Sequence, residues 1–283
     1  MNRFGELPAS VHLVGTAPRN VERVTSPTSS SFTRRAFATV LVAAGAVVLD
    51  ACTGSGSAGA SGSARPSGSP VTTAAASSAA SGFNKKKYST TDPASIWVVV
   101  NKKHPMQPKD WAPTDLVHPA VANVNGQPVR KAAGSALVAM FAAAKAEKGL
   151  TLSLQSGYRS YQTQVRAYAA AVAANGRAKA DRVSAHPGYS EHQTGLAVDI
   201  SAVPAAHSLQ TAFGTTAHGR WLAANAHRFG FLLRYPADKV RVTGYDYEPW
   251  HFRYIGTELA QYLWRHKVKT LEEFFGVSGG TSY

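Results

Sequence analysis

Apolar residues recur with regular spacing in the part of the chain that begins near residue 85. Spacings of three and four residues predict helices, and alternation of apolar with polar residues predicts half-buried strands. The predicted helices cover residues 131–148, 161–175, 216–229, 257–266 and 270–275, and the predicted strands cover residues 96–100, 150–155, 195–201, 231–235, 240–243 and 247–255. Because strands and helices are mixed without a strict βαβ repeat, we predict an α+β fold with a mostly antiparallel sheet flanked by helices.

Two of the predicted helices have a clear apolar face. The face is formed by Leu137, Met140, Phe141 and Ala144 in the first helix, and by Val165, Tyr168, Ala169 and Val172 in the second. Gly149 and Gly176 are expected to end these helices, since glycine readily adopts the left-handed conformation that follows a last turn. The strand at 195–201 is apolar on both faces, which is typical of a central strand.

Other local signals predict where helices and strands begin and end. Thr216 and Thr257 are predicted helix caps, and residues 177–190 are predicted to form a loop because Pro187 and Gly188 favour a turn. Pro249 lacks a backbone donor, so it indicates an edge, a bulge or an irregular start for the last strand.

The first 52 residues are predicted to be an export signal. Arg34 and Arg35 precede an apolar run at 36–49, which is shorter than the roughly 20 residues that a membrane-spanning helix needs. Such a run is typical of a signal peptide. The paired arginines resemble a twin-arginine signal, and a chance pair in an ordinary secretory signal is the alternative.

Cys52, the only cysteine of the chain, ends the segment Leu49-Asp50-Ala51-Cys52. This segment resembles a bacterial lipobox, in which the cysteine is lipidated, although Asp50 is unusual there. We therefore predict an exported protein that a lipid on Cys52 anchors to the cell membrane, facing the cell wall.

The remaining chain divides by composition. Residues 53–84 consist mostly of Gly, Ser, Ala, Thr and Pro, which cannot bury enough apolar area to fold, so a disordered linker is predicted. Residues 85–283 are predicted to form one domain, expected to be monomeric.

The formal charge is +14, from 30 Lys and Arg against 16 Asp and Glu. Such an excess favours an anionic partner, but no nucleic-acid-binding motif is present.

Candidate metal chemistry rests on two histidines and an aspartate. His192 and Asp199 are seven positions apart, and His251 follows about 50 residues later. Zinc binds imidazole and carboxylate where thiolates are missing, and three protein ligands with one open position are typical of a catalytic site. The alternative is that Asp199 pairs with an arginine and that His192 supports its loop.

Two charged residues are candidates for catalysis. Glu248 precedes His251 by three positions, and a carboxylate beside a zinc site can transfer protons; a surface glutamate at a strand end is the alternative. Arg159 follows a predicted strand, where its guanidinium can bind a carboxylate or an oxyanion; a solvated side chain is the alternative. No function is assigned to the other histidines, which are His12, His104, His118, His186, His207, His218, His227 and His266.

Three motifs occur in order along the chain. They are Ser156-Gly-Tyr-Arg-Ser160, Ser184-x-x-Pro-Gly-x-Ser-Glu-His192-Gln-Thr-Gly-x-x-x-Asp199 and Glu248-Pro-Trp-His251. Together they resemble the VanY-type D-alanyl-D-alanine carboxypeptidases, zinc peptidases of family M15 (subfamily M15B), over about residues 95–267. The resemblance implies the fold shared by hedgehog-like and DD-peptidase-like domains.

The resemblance also implies residue roles. It makes His192, Asp199 and His251 the ligands of Zn²⁺, Glu248 the general base and acid, and Arg159 a catalytic and substrate-binding residue. Four further residues fall in stretches that line the cleft of such enzymes and are expected to contact substrate: Tyr158, Gln162, Ser184 and Ser190.

The function that the resemblance implies is removal of the terminal D-Ala from peptidoglycan stem peptides. An L,D-carboxypeptidase, a D-Ala-D-Ala dipeptidase and a wall-cleaving endopeptidase remain alternatives, because pocket shape rather than the motifs decides between them. The predicted lipid tether disfavours a diffusing lytic enzyme. A catalytically silent cell-wall-binding module is an alternative of another class, and the intact Glu248 argues against it.

Overall fold

The computed structural model describes residues 82–283. The predicted signal peptide, Cys52 and nearly all of the predicted linker lie outside the described residues, so those interpretations stay predictions. Among the helices of the described region, none combines the length and the apolar character that a membrane crossing requires.

The described residues form an α+β fold, as predicted. The strands are β1 (Leu116–Val117), β2 (Val129–Arg130), β3 (Leu152–Ser156), β4 (Ala197–Ala202), β5 (Phe231–Leu233) and β6 (His251–Tyr254). The α-helices are α1 (Lys131–Lys148), α2 (Tyr161–Asn175), α3 (Arg177–Val183), α4 (Ala217–Asn225), α5 (Val240–Thr243), α6 (Thr257–Arg265) and α7 (Leu271–Phe275). Short 3-10 helices cover Glu191–Thr194, Thr211–Thr215, Ala226–Phe229 and Ala237–Lys239.

The main sheet has four antiparallel strands in the order β3-β4-β6-β5, and β1 pairs with β2 in a separate ribbon. The central position predicted for β4 is confirmed, since it lies between two partners and all of its residues are buried. Its register pairs Asp199 with His251. Directly opposite residues share one face of a sheet, so strand pairing alone brings these two side chains together.

The two faces of the sheet have different chemistry. Val198, Ile200 and Phe252 belong to the main hydrophobic core, which also contains the buried residues of α1 and α4. Since side chains alternate along a strand, the opposite face carries Asp199 and Arg253 together with His251. One face therefore stabilises the fold by apolar burial, and the other presents buried polar groups.

Several predicted helices are confirmed at their ends. The first predicted helix is α1 with the predicted bounds and the predicted buried face, and it ends at Gly149 in the left-handed conformation. Thr216 and Thr270 cap α4 and α7, because their hydroxyls accept hydrogen bonds from backbone amides in the first turn. Thr257 does not cap α6; it is the first helical residue, after Gly256.

Two predicted strands are wrong. Residues 97–100 are buried and apolar, but Trp97 and Val99 pack in a second core with the side chains of α6 instead of pairing in a sheet. Residues 240–243 form the helix α5, which ends at Gly244 with φ 82°. Segments of four or five residues are too short for their periodicity to separate these outcomes.

Three other predictions need correction. The predicted loop at 177–190 begins with the helix α3. The predicted apolar face of α2 is not buried; Gln164 is the buried residue of that helix, and Val165 is 39% exposed. Finally, β6 begins only at His251 and lies inside the sheet, so Pro249 marks an irregular start and not an edge.

Candidate metal centre and catalytic site

Three neighbouring segments supply the candidate metal ligands. His192 lies in the 3-10 helix Glu191–Thr194 just before β4, Asp199 lies within β4, and His251 is the first residue of β6. Gly195 turns the chain from the 3-10 helix into β4 with φ 68°, and a Cβ there would lie 2.9 Å from Cγ of Arg130. Glycine is therefore required where the ligand-bearing turn joins the strand.

The three donors form one compact group, which we call the metal cluster (His192, Asp199 and His251). His192 Nε2 lies 3.3 Å from Asp199 Oδ2, and His251 Nδ1 lies 3.1 Å from Asp199 Oδ1. All three ligand atoms lie within 4.8 Å of one another. Tetrahedral zinc ligands at about 2.0–2.2 Å from the ion lie about 3.3 Å apart, so this donor set suits Zn²⁺.

The charge of the metal cluster also calls for a cation. Burial alone would raise the pKa of Asp199, but the imidazoles of His192 and His251 outweigh it and hold that pKa well below its usual range. Within the described region, neither a lysine nor an arginine forms a salt bridge with Asp199. The structure therefore does not show the alternative, in which Asp199 pairs with an arginine. A metal ion would balance the buried charge of Asp199.

Both histidines have a second partner that fixes the ring. Nδ1 of His192 donates a hydrogen bond of 2.8 Å to the Gly157 carbonyl oxygen, so its Nε2 faces the metal cluster. The His251 ring is reversed, with Nδ1 towards Asp199 and Nε2 3.4 Å from Glu191 Oε2. Metal-binding histidines ordinarily have such outer partners.

Glu248 lies beside the metal cluster in the turn that precedes β6. Its Oε2 is 3.7 Å from His251 Nδ1, and its carbonyl oxygen accepts a hydrogen bond from the His251 amide. Burial raises the pKa of Glu248 to about 8. A carboxyl group with a pKa near neutrality can both accept and donate a proton.

Arg159 is fixed from both its main chain and its side chain. Its amide donates to the His192 carbonyl oxygen at 3.1 Å, and its Nη1 donates to Gln164 Oε1 at 2.9 Å. Gln164 in turn donates to the Ala185 carbonyl oxygen at 2.7 Å. These contacts hold the guanidinium at the wall of the same cleft as the metal cluster.

The cleft has a volume of about 370 Å³, and its lining includes Arg159, Ser184, Ser190, Glu248 and the metal cluster. Tyr158 and Gln162 are not among the residues that line this cavity, so their predicted contact with substrate stays a prediction. Gln162 is exposed near the start of α2. The glutamine that contacts a site residue is Gln164, two positions later, which accepts a hydrogen bond from Arg159 and donates one to the Ala185 carbonyl oxygen.

Sequence reasoning missed a buried group of four charged residues, which we call the arginine–glutamate cluster (Glu191, Arg234, Arg253 and Glu272). Their side chains are 0–2% exposed and form three salt bridges of 2.7–2.9 Å. One signal was available, because Arg253 shares the face of His251 through strand alternation. Arg234 and Glu272 are far in sequence from the predicted motifs, and no local pattern indicated that they would join this cluster.

Other histidines lie apart from this centre. His186 Nε2 is 2.9 Å from Asp181 Oδ1 and 2.8 Å from the Tyr168 hydroxyl, and its ring stacks on Tyr283. Across residues 82–283, the metal cluster is the one group with three potential ligands close enough to share an ion.

Comparison with known proteins agrees with this geometry. The sequence model of the VanY family, described as D-alanyl-D-alanine carboxypeptidase, matches residues 126–257. That range contains the metal cluster, Glu248 and Arg159. The putative carboxypeptidase YodJ of Bacillus subtilis (strain 168) is 43% identical over 189 residues, which cover 65% of this chain and 68% of YodJ.

Solved structures give the same result. The chain is similar to the LdcB LD-carboxypeptidase, with 43% identity and a TM-score of 0.61, over 66% of this chain and 89% of that one. It is also similar to the vancomycin-resistance D,D-pentapeptidase VanY in complex with Zn(II), with 35% identity and a TM-score of 0.52, over 62% and 97% of the two chains. The chain therefore belongs to the VanY family of D-alanyl-D-alanine carboxypeptidases, which are zinc metallopeptidases.

Proposed function

We propose that this chain removes the terminal D-Ala from peptidoglycan stem peptides in a zinc-dependent reaction. The observation that carries the proposal is the convergence of the metal cluster, Glu248 and Arg159 on one cleft. Ligands for a metal, a proton-transfer group and a fixed cation together are what hydrolysis of a peptide with a free carboxylate end requires.

His192, Asp199 and His251 would hold the zinc ion, which when bound would supply Lewis-acid polarisation of a carbonyl and promote deprotonation of water. Glu248 accepts the proton of the attacking water and delivers it to the leaving amine. Its burial suits this exchange, because a pKa raised to about 8 leaves the carboxyl group able to return the proton near neutral pH.

Arg159 selects the end of the substrate. A guanidinium binds a carboxylate through two parallel hydrogen bonds, and Gln164 and the His192 carbonyl keep this one oriented. Binding of the terminal carboxylate limits hydrolysis to the last peptide bond, so exo-cleavage is expected. Ser184 and Ser190 contribute polar groups to the wall of the cleft.

A second candidate is L,D-carboxypeptidase activity on the same class of substrate. The observation that favours it is the similarity to the LdcB LD-carboxypeptidase, at 43% identity and a TM-score of 0.61. The two activities use the same ligands and base and differ in the configuration of the residue before the scissile bond.

We also propose that the protein is exported, lipid-anchored through Cys52 and monomeric. The lipobox-like segment and the paired arginines support export, and the net charge of +14 favours the anionic cell wall. Replacing Cys52 with alanine should release the protein from membranes in a fractionation experiment. A variant that stays with the membrane would show another anchor.

Mass spectrometry of defined muropeptides incubated with the zinc-loaded protein tests the activity. Loss of one D-Ala from a pentapeptide ending in D-Ala-D-Ala is expected. Loss of one D-Ala only from a tetrapeptide would favour the L,D reaction, loss of both residues together would favour a dipeptidase, and cleavage of cross-links would favour an endopeptidase. Unchanged substrates with zinc-loaded protein would contradict all four.

A further inference from the structure

The carboxylate of Glu191 lies between the metal cluster and the arginine–glutamate cluster. Its Oε2 is 3.4 Å from Nε2 of His251, and its Oε1 accepts hydrogen bonds from Arg234 Nε at 2.8 Å and from Arg253 Nη1 at 2.9 Å. The side chain is 0% exposed. The two oxygens thus have separate partners, with one held by arginines and the other directed at a metal ligand.

The arginine–glutamate cluster is a firm support because its charges balance and its donors are used. Glu272 accepts two hydrogen bonds from the Arg234 guanidinium, at 2.7 and 2.9 Å, and a third from Asn101 at 3.0 Å. Arg253 also donates to the Val98 carbonyl oxygen at 2.8 Å. Two arginines, one of them also paired with Glu272, therefore hold the Glu191 carboxylate on the side away from His251.

The contact matters for His251 because only one of its nitrogens can bind a metal. Nδ1 lies on the metal-cluster side, 3.1 Å from Asp199 Oδ1, so a ring that binds zinc through Nδ1 must carry its proton on Nε2, where Glu191 Oε2 is the acceptor within reach. The other ligand, His192, donates to a neutral carbonyl of Gly157 instead. A carboxylate makes the stronger acceptor, so the two histidines differ in their support.

We propose that Glu191 is a positioning residue for zinc: it holds His251 in the tautomer and orientation that present Nδ1 to the metal, while Arg234 and Arg253 hold Glu191. Glu191 immediately precedes His192, so a single turn of the chain supplies one ligand and the support for another. The inference rests on the proposed zinc-dependent function, which it extends beyond the three ligands.

Glu272 provides a matched control. It is buried like Glu191 and pairs with the same Arg234, but its hydrogen bonds go to Arg234 and Asn101 and not to a metal ligand. Glu191→Gln and Glu272→Gln each remove one negative charge from the arginine–glutamate cluster. A purely structural role predicts similar effects of both variants, whereas a positioning role predicts different effects on zinc.

The experiment measures the zinc dissociation constant by competition with a chromophoric chelator, on protein whose fold is checked by circular dichroism. Glu191→Gln should weaken zinc binding about 10–100-fold, and Glu272→Gln should change it less than about threefold. In ¹⁵N-histidine-labelled wild-type protein with zinc, His251 should show the Nε2–H tautomer, and this signal should shift in Glu191→Gln alone.

Equal zinc affinities of wild type and Glu191→Gln, or equal losses in the two variants, would overturn the inference and leave the proposed function intact. Failure of the wild type to bind one zinc ion per chain would overturn both. If Glu191→Gln does not fold, Glu191→Asp and Glu272→Asp replace the pair, since both keep the charge. Glu191→Asp alone should then weaken zinc binding, because the shorter carboxylate withdraws from His251.

Discussion

The metal cluster and the arginine–glutamate cluster lie side by side in the same buried region, and they differ in charge balance. In the described residues, Asp199 and Glu248 have only imidazoles as salt-bridge partners. Glu191 and Glu272 are instead paired with Arg234 and Arg253. The first group needs a cation from solution, and the second is complete within the protein.

We infer from this difference that the two sets of buried charges have different roles. The incomplete set is the metal cluster with Glu248, and the complete set is the arginine–glutamate cluster. In the proposed function, the incomplete set is the one that binds a metal and takes part in the reaction, whereas the complete set supports it without reacting. His251 belongs to the first and contacts the second through Glu191. Three predictions test this division and one tests Arg159 beside it, from the largest expected effect to the smallest.

Removing a ligand from the incomplete set should have the largest effect. In Asp199→Ala, two imidazoles alone remain, so zinc should be lost on dialysis and hydrolysis should fall to background. Zinc content by elemental analysis and product by mass spectrometry check this. Asp181→Ala is the control, because its carboxylate contacts His186 and Tyr168 away from the metal cluster. Zinc retained in Asp199→Ala would rule out Asp199 as a ligand.

Breaking the complete set should destabilise the fold. Arg253→Met leaves the buried Glu191 with one arginine partner, and loss of one partner from a buried ion pair costs about 3–5 kcal/mol. Urea unfolding of zinc-free protein measures this free energy. Arg228→Met is the control, because Arg228 pairs with Glu147 at the surface, where such pairs contribute about 0–1 kcal/mol. Similar losses in both variants would contradict the assigned support role.

Arg159→Ala should reduce kcat/KM by roughly 10–150-fold, since a hydrogen bond to a charged group contributes about 1.5–3 kcal/mol. The loss should appear mainly in KM if Arg159 binds the substrate carboxylate before the reaction. Steady-state kinetics on a pentapeptide measure it, with Arg166→Ala on the exposed side of α2 as the control. An unchanged KM would remove Arg159 from substrate binding.

The smallest effect concerns acid stability. Burial alone would raise the pKa of Glu272, but Arg234 outweighs it and lowers that pKa below its ordinary value. The depressed pKa contributes stability that is present above the unfolded pKa of about 4.3 and lost as the pH falls through the folded pKa. Glu272→Gln should therefore flatten the decline of Tm below about pH 4, and an unchanged slope would contradict this.

The metal cluster and Glu248 could be predicted from the sequence because these residues lie in compact motifs. His192 and Asp199 share one motif and Glu248 and His251 share another, so a local pattern pointed to each. The arginine–glutamate cluster joins residues 191, 234, 253 and 272, and no spacing links them. The pairing of β4 and β5 with β6 and the path of the chain to α7 bring these charges together.

The secondary-structure predictions that were wrong have a similar explanation. Residues 96–100 are a short apolar run and residues 240–243 a short alternating segment, and whether either forms a strand depends on the availability of a partner strand. The face predicted for α2 was wrong because the local pattern does not show which side of the helix meets the rest of the protein; Gln164, held by Arg159 and the Ala185 carbonyl, is the buried residue. Long periodic stretches such as α1 were predicted correctly because tertiary packing agreed with their local pattern.

The most direct test of the central claim is to measure zinc content and peptide hydrolysis in the same sample of Glu248→Gln. The account predicts one zinc ion per chain, as in wild type, and turnover reduced about 10²–10⁴-fold, because the ligands remain and the proton-transfer group is gone. Loss of the zinc would make Glu248 a ligand, and wild-type turnover would remove it from the reaction; either result would contradict the account.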